Sequence, residues 1–129
     1  MNEEETKESL FQEGLNHYKT MDYFEAHEAW EDLWSGYYLE DRIFLQGLIQ
    51  LAVSFVHLGN GNLIGAKNLL RKCKEKFQGF SGIHRGIHVN LLLNQIEKVG
   101  LSYNGLEQPK DFNWNMSFSP WCHMKPSIR

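Results

Sequence analysis

The sequence predicts an all-α fold, a compact bundle of about five helices with an extended aromatic C-terminal tail. Three observations predict it. Apolar residues recur at three- and four-residue spacing through the first hundred positions, the period of a helix with one buried face. All three prolines, Pro109, Pro120 and Pro126, lie beyond Gly100, where they interrupt no helix. Two-residue alternation appears only at Phe112, Trp114, Met116 and Phe118, which reads as one extended strip laid across helices, not as a sheet. The expected division is a helical domain over 1–100 and an extended tail packed on it over 101–129.

The elements follow in order. A first helix over 6–19 places Phe11, Leu15 and Tyr18 on one face. A second opens at Asp22, whose carboxylate is positioned to cap free amides with Glu25 three residues later as in a capping box, and it ends around Trp34 to Gly36. The third, 41–58, is apolar almost all round and is expected to be the central buried helix. Gly59-Asn60-Gly61-Asn62 makes a turn with an asparagine cap for a fourth helix over 63–77. Its inner face is Ala66, Leu69, Leu70, Cys73 and Phe77. After a break at Gly79 to Gly82, a fifth helix over 84–99 is expected to stop at Gly100.

At 129 residues, 42% hydrophobic and 22% charged, the chain has the composition of one globular domain and not of a disordered one. No apolar run approaches the roughly 20 residues of a membrane span. The start, Met1-Asn2-Glu3-Glu4-Glu5, is acidic where a secretory leader is basic and then apolar. Two cysteines, Cys73 and Cys122, are too few for a disulfide framework. A soluble, cytoplasmic domain with no membrane partner is the expectation. Charge is divided along the chain: residues 1–41 hold 12 acids and 2 bases, residues 42–129 hold 4 acids and 11 bases. The bases peak at Lys67, Arg71, Lys72, Lys74 and Lys76, with Arg85 soon after, and no aromatics interleave with them. A solvated helix face accounts for such a run, and nucleic acid is not the expected partner.

The second helix carries the chemistry. On a helical wheel Tyr23, His27, Trp30, Glu31 and Trp34 fall on one stripe, while Glu25, Glu28 and Asp32 point the other way. Glu31 therefore sits between tryptophans, where a buried carboxylate has to be paired, protonated or metal-bound. The third helix has a matching polar stripe, Gln46, Gln50, Val53 and His57. A short connection favours antiparallel packing, which places Gln46 near Glu31 and Gln50 near His27, with His57 turned towards helix one or five. Three readings stay open: a polar network that fixes helix register, a divalent-metal site on His27 and Glu31, and a proton-transfer pair in which an aromatic setting raises Glu31. His27-Glu28-Ala29-Trp30-Glu31 begins like the zincin pattern, but Glu31 stands where the second histidine belongs.

His27-x-x-x-Glu31-x-x-Trp34, then Gly47-Leu48-Ile49-Gln50 and Gly61-Asn62…Gly65-Ala66…Leu69-Leu70, resembles domain-of-unknown-function family 309 over about residues 8–100. The family comprises small helical bacterial and archaeal proteins with no established activity. The resemblance implies an all-helical fold and marks His27, Glu31 and Trp34 as a functional, metal-binding signature. The aromatic tail beyond Gly100 looks like an addition of this chain.

Elsewhere, His84 and His88 are four apart but have no carboxylate nearby in sequence, so exposed or capping roles are expected of them. Cys73 reads as a packing residue. Helices three and four, with Gly65 and Ala66 small at their crossing, look like one tetratricopeptide-type pair. The function expected first is a non-enzymatic module that binds a protein partner, a small ligand or a second copy through a pocket of Tyr23, His27, Trp30, Glu31, Trp34, Gln46, Gln50 and His57. The alternative is a divalent metal held by His27 and Glu31, supporting hydrolysis.

Overall fold

The computed structural model describes residues 1–117 and Trp121. Five helices follow one another: α1 (Glu3–Lys19), α2 (Tyr23–Gly36), α3 (Arg42–Gly59), α4 (Leu63–Phe77) and α5 (Val89–Gly105). Each packs on its neighbour in sequence, α1 on α2, α2 on α3, α3 on α4 and α4 on α5. Between α4 and α5 a short antiparallel hairpin pairs β1 (Ile83–His84) with β2 (Ile87–His88), in the register Ile83 to His88 and His84 to Ile87. The bundle is all-α apart from this hairpin.

Local chemistry sets the boundaries. α1 begins three residues earlier than expected because Asn2 accepts from the Glu5 amide at 2.8 Å and Glu5 accepts from the Asn2 amide at 3.1 Å, a complete capping box. The capping box expected at Asp22 does not form. Its carboxylate accepts instead from the Thr20 hydroxyl at 2.9 Å, because Met21 turns through a left-handed φ of 64° and draws the two side chains together. Asn62 caps α4 as expected, accepting from the Gly65 amide at 2.9 Å.

The largest departure is at the fifth helix. Residues 83–88 are not helical: Arg85 (φ 53°) and Gly86 (φ 77°) are both left-handed, the signature of a two-residue hairpin turn. α5 then runs through Gly100 to Gly105, because Ile96, Val99 and Tyr103 continue its buried stripe past the glycine. Gly100 meets only Leu70 of α4, at 3.5 Å from where a Cβ would sit, so it is an interior residue of the helix and not its stop.

α3 is the core helix, with ten residues buried including Phe44, Leu48, Leu51 and Phe55. It is also the one helix among the described residues that is long and apolar enough to cross a membrane, contrary to the first expectation, and 56% of it is buried inside the bundle. Close approaches set the crossings. At Gly14 a Cβ would lie 2.1 Å from the Trp30 indole, so glycine lets α2 settle its tryptophan against α1. At Gly47 a Cβ would lie 2.8 Å from the Phe77 ring, which draws α4 onto α3.

The described part of the tail contains two 3-10 turns, Pro109–Asp111 and Trp114–Ser117, rather than one continuous strip. Phe112 stacks near Phe55 and Tyr103, and Trp114 near Tyr23 and Phe55, so the tail covers its own α2, α3 and α5. Gln95 of α5 donates to the Met116 carbonyl at 2.9 Å and accepts from the Trp121 indole. Phe118, Cys122 and His123 lie outside the described residues.

Candidate functional site

α2 buries Tyr23, Ala26, Ala29, Trp30 and Leu33. At 100° per residue the centre of that arc lies near Ala26 and Leu33, which leaves Trp34 roughly 80° from it, His27 roughly 100° and Glu31 roughly 140°. The buried arc departs from the expected stripe because the small residues Ala26 and Ala29 are buried beside Leu33. The correction is chemical as well as geometric. Glu31 is exposed, not buried among tryptophans, and no hydrogen bond holds its carboxylate among the described residues. Its backbone carbonyl accepts from Ser35 at 2.7 Å, an exposed bond.

The other stripe residues separate into two environments. Tyr23 and Trp30 belong to the core: the Trp30 indole donates to the Phe11 carbonyl at 3.2 Å, and the Tyr23 hydroxyl donates to the Ser117 carbonyl at 3.3 Å. His27 and Trp34 sit half-buried at the edge. His27 places Nδ1 3.0 Å from the Phe24 carbonyl one turn back, Nε2 3.8 Å from Glu28, and its ring edge-to-face with Phe24 at 5.2 Å. Phe24 is 52% exposed. The Trp34 indole donates to the Arg42 carbonyl at 3.1 Å, Arg42 returns a bond to the Trp34 carbonyl at 3.0 Å, and its guanidinium stacks on the Trp34 ring at 3.9 Å.

This clasp fixes the register of α2 against α3. Gln46 and Gln50, one and two turns further along α3, are both half-buried. No hydrogen bond joins either glutamine to His27 or Glu31 among the described residues, and the Gln50 Oε1 is buried without a partner. The four do not form a closed polar network. His57 turns to the α3–α4 connection, Nδ1 3.5 Å from the Asn62 amide, and not to α1 or α5 as expected. Its neighbour Asn62 holds it beside the cap of α4.

Sequence reasoning missed a second cluster. Asp41, just before α3, accepts from Arg85 Nε at 2.6 Å and Nη2 at 3.0 Å, and His84 Nε2 lies 2.8 Å from the same carboxylate. Burial pushes the Asp41 carboxyl up, but the hydrogen bonds and positive charge of Arg85 and His84 outweigh it and hold it at about 2. The His84 ring packs between Phe44 and Phe80, and the Arg85 guanidinium lies over Phe11. With Lys7, Glu8 and Tyr38, the side chains of Asp41, His84 and Arg85 border an open cleft of about 550 Å³. His84, expected to be exposed or capping for want of a carboxylate nearby in sequence, finds its partner 43 residues away. Only the left-handed turn that aims Arg85 back at α3 makes the contact, and an Ile-His-Arg-Gly-Ile-His run carries no strong hairpin signal. Because both Arg85 bonds and the Asp41 oxygens are used within the cluster, its evident work is to tie the hairpin to α1 and α3.

The remaining candidates are structural. His88 sits at the start of α5 without a side-chain cap, so it and His84 lie on paired strands and not on one helical face. Cys73 is fully buried, its thiol donates to the Leu70 carbonyl at 3.2 Å, and burial pushes its ionisation well above the usual range. Among the described residues no group of three His, Cys, Asp or Glu side chains is arranged to hold a metal ion.

No curated protein and no solved structure matched the chain. The model of the family described as Domain of unknown function (DUF309) matches residues 11–69, a span that contains His27, Glu31, Trp34, Gln46, Gln50 and His57 and stops short of the hairpin and α5. The match agrees with the family resemblance expected from the sequence, over a span that runs from α1 into α4.

Proposed function

We propose that the domain is a non-enzymatic protein-binding module whose recognition surface is the outer row of α2, Phe24, His27, Glu28 and Glu31. The observation that carries this reading is the pairing of a 52% exposed phenylalanine with a half-buried histidine beside two exposed carboxylates, Glu28 and Glu31. A large apolar ring left in water among charges is the composition of an interface anchor with a polar rim. The partner it suits is a protein surface with a small apolar hollow and positive charge around it.

The metal and hydrolase reading has less support. His27 and Glu31 supply two donors, His27 Nδ1 already lies against the Phe24 carbonyl, and no third His, Cys, Asp or Glu joins them among the described residues. The binding reading is tested by placing a photo-crosslinking amino acid at position 24 of the full chain in its native cells, with position 91 on α5 as the control. A discrete protein adduct from position 24, absent from position 91 and lost with Glu31→Lys, supports the reading. No adduct, or the same adducts from both positions, overturns it.

A further inference from the structure

The division of charge seen in the sequence survives folding as two separate helix faces. α2 carries Glu25, Glu28, Glu31 and Asp32, all exposed, and no Lys or Arg. α4 presents Lys67 and Arg71, both exposed, and Lys74, half-buried, at positions i, i+4 and i+7, which is one straight row on a helix. This basic row is the rim of an open groove of about 390 Å³ between α4 and α5. Its floor is Leu70, Ile96 and Tyr103, with Gly100 contributing no side chain, and Leu101 stands 66% exposed on the far lip. The groove is thus basic along its α4 wall, while its α5 wall sets Glu97 and Asn104 beside Leu101.

On α2, Phe24, Glu28 and Glu31 repeat the same i, i+4, i+7 spacing, so the two rows have equal pitch and span about 10 Å each. Within one chain they are presented by different helices: α2 packs on α1 and α3, α4 on α3 and α5. The bonds that occupy the groove wall are exposed and exchangeable. Lys74 meets Glu97 at 2.9 Å and Arg71 meets Glu75 at 3.8 Å, while Lys67 has no ion pair among the described residues.

We infer that the occupant of the α4–α5 groove is the α2 row of a second copy of this chain, Glu28 and Glu31 meeting Lys67 and Arg71 while Phe24 seats near Leu101. This rests on the reading of α2 as a recognition surface and names its partner. Charge complementarity favours a second copy: the chain carries both halves of the contact, with the acidic excess in residues 1–41 and the basic excess beyond them. The contact joins two different patches, so reciprocal use of both closes a two-fold dimer, and single use leaves each copy a free patch for the next.

The test is sedimentation velocity of the full chain across a wide concentration range, at about 20 mM and about 500 mM NaCl, where screening differs several-fold. Reversible association at low salt that weakens about tenfold or more at high salt is expected. Lys67→Glu with Arg71→Glu abolishes it, Glu28→Lys with Glu31→Lys abolishes it, and the chain carrying all four changes regains it; helical circular dichroism in each variant separates loss of contact from loss of fold. A monomer at every low-salt concentration, association that survives either reversal, or no recovery in the folded four-fold variant overturns the inference. A monomeric chain that still yields a position-24 adduct with another protein ends this inference and leaves the α2 reading standing, whereas no adduct of any kind ends the α2 reading itself.

Discussion

Arg85 grips Asp41 at two points across 44 residues of sequence, Nε to Oδ2 at 2.6 Å and Nη2 to Oδ1 at 3.0 Å. The pair closes the chain between the start of α3 and the hairpin, and it holds Arg85 in a left-handed conformation that a non-glycine residue adopts at a cost of ~1 kcal/mol or more. A single exposed ion pair adds little, but this one is bidentate, partly buried and joined by His84. Asp41→Asn should therefore cost ~1–3 kcal/mol at neutral pH, measured by denaturant unfolding.

The same carboxylate gives the fold an acid-sensitive component. Its folded ionisation, near 2, lies below its ordinary value of 3.8, so its stabilisation is complete above about pH 4 and is lost as pH falls from there towards 2. Unfolding free energies compared at pH 7 and pH 3 should drop less in Asp41→Asn than in the parent chain. Equal drops would remove Asp41 from the acid response.

Glu31→Gln should leave stability within ~0.5 kcal/mol of the parent, because the carboxylate is exposed and bonds to none of the described residues. A buried, paired carboxylate would instead make this change one of the most damaging in the domain. A thermal melt distinguishes them directly.

Glycine at 14 and at 59 should respond oppositely to alanine. At Gly14 the new methyl would fall on the Trp30 indole and disturb its bond to the Phe11 carbonyl, at a cost of ~3 kcal/mol. At Gly59, the last residue of α3, nothing lies within 4 Å of the new Cβ, and the loss of unfolded-chain freedom should stabilise by ~0.5 kcal/mol. Paired denaturant curves check the contrast.

The extension of α5 past Gly100 has its own test. The Tyr103 hydroxyl lies 2.9 Å from Ser54 Oγ, which donates to the Ala66 carbonyl at 2.7 Å, so one chain of bonds links α5, α3 and α4 in the core. Ser54→Ala leaves the phenol without its bond and should cost ~1–3 kcal/mol, and adding Tyr103→Phe should recover part of that loss. Strict additivity would deny the coupling.

What the sequence disclosed and what it hid divide along physical lines. The long period of α3 and the asparagine cap of α4 are local signals, and both elements form within a residue or two of the expected bounds. The packing of α2 on α3 was also legible, since a short connection favours neighbouring helices, and the Trp34–Arg42 clasp ties the two together. The burial of α2 was not. Its inward centre is set by Ala26 and Leu33, and alanines become core only when a neighbouring helix comes close, a fact of packing and not of period. The Asp41 cluster was hidden for a related reason: its members are brought together by a turn whose left-handed residue is an arginine.

The most direct test of the central claim, that His27 and Glu31 belong to a protein-binding surface and not to a metal centre, is elemental analysis of the full chain purified without chelator or affinity tag, with Glu31→Gln alongside. The account predicts no stoichiometric transition metal in either sample. About one zinc, iron or manganese per chain, lost in Glu31→Gln, would contradict it and make the α2 row a metal site.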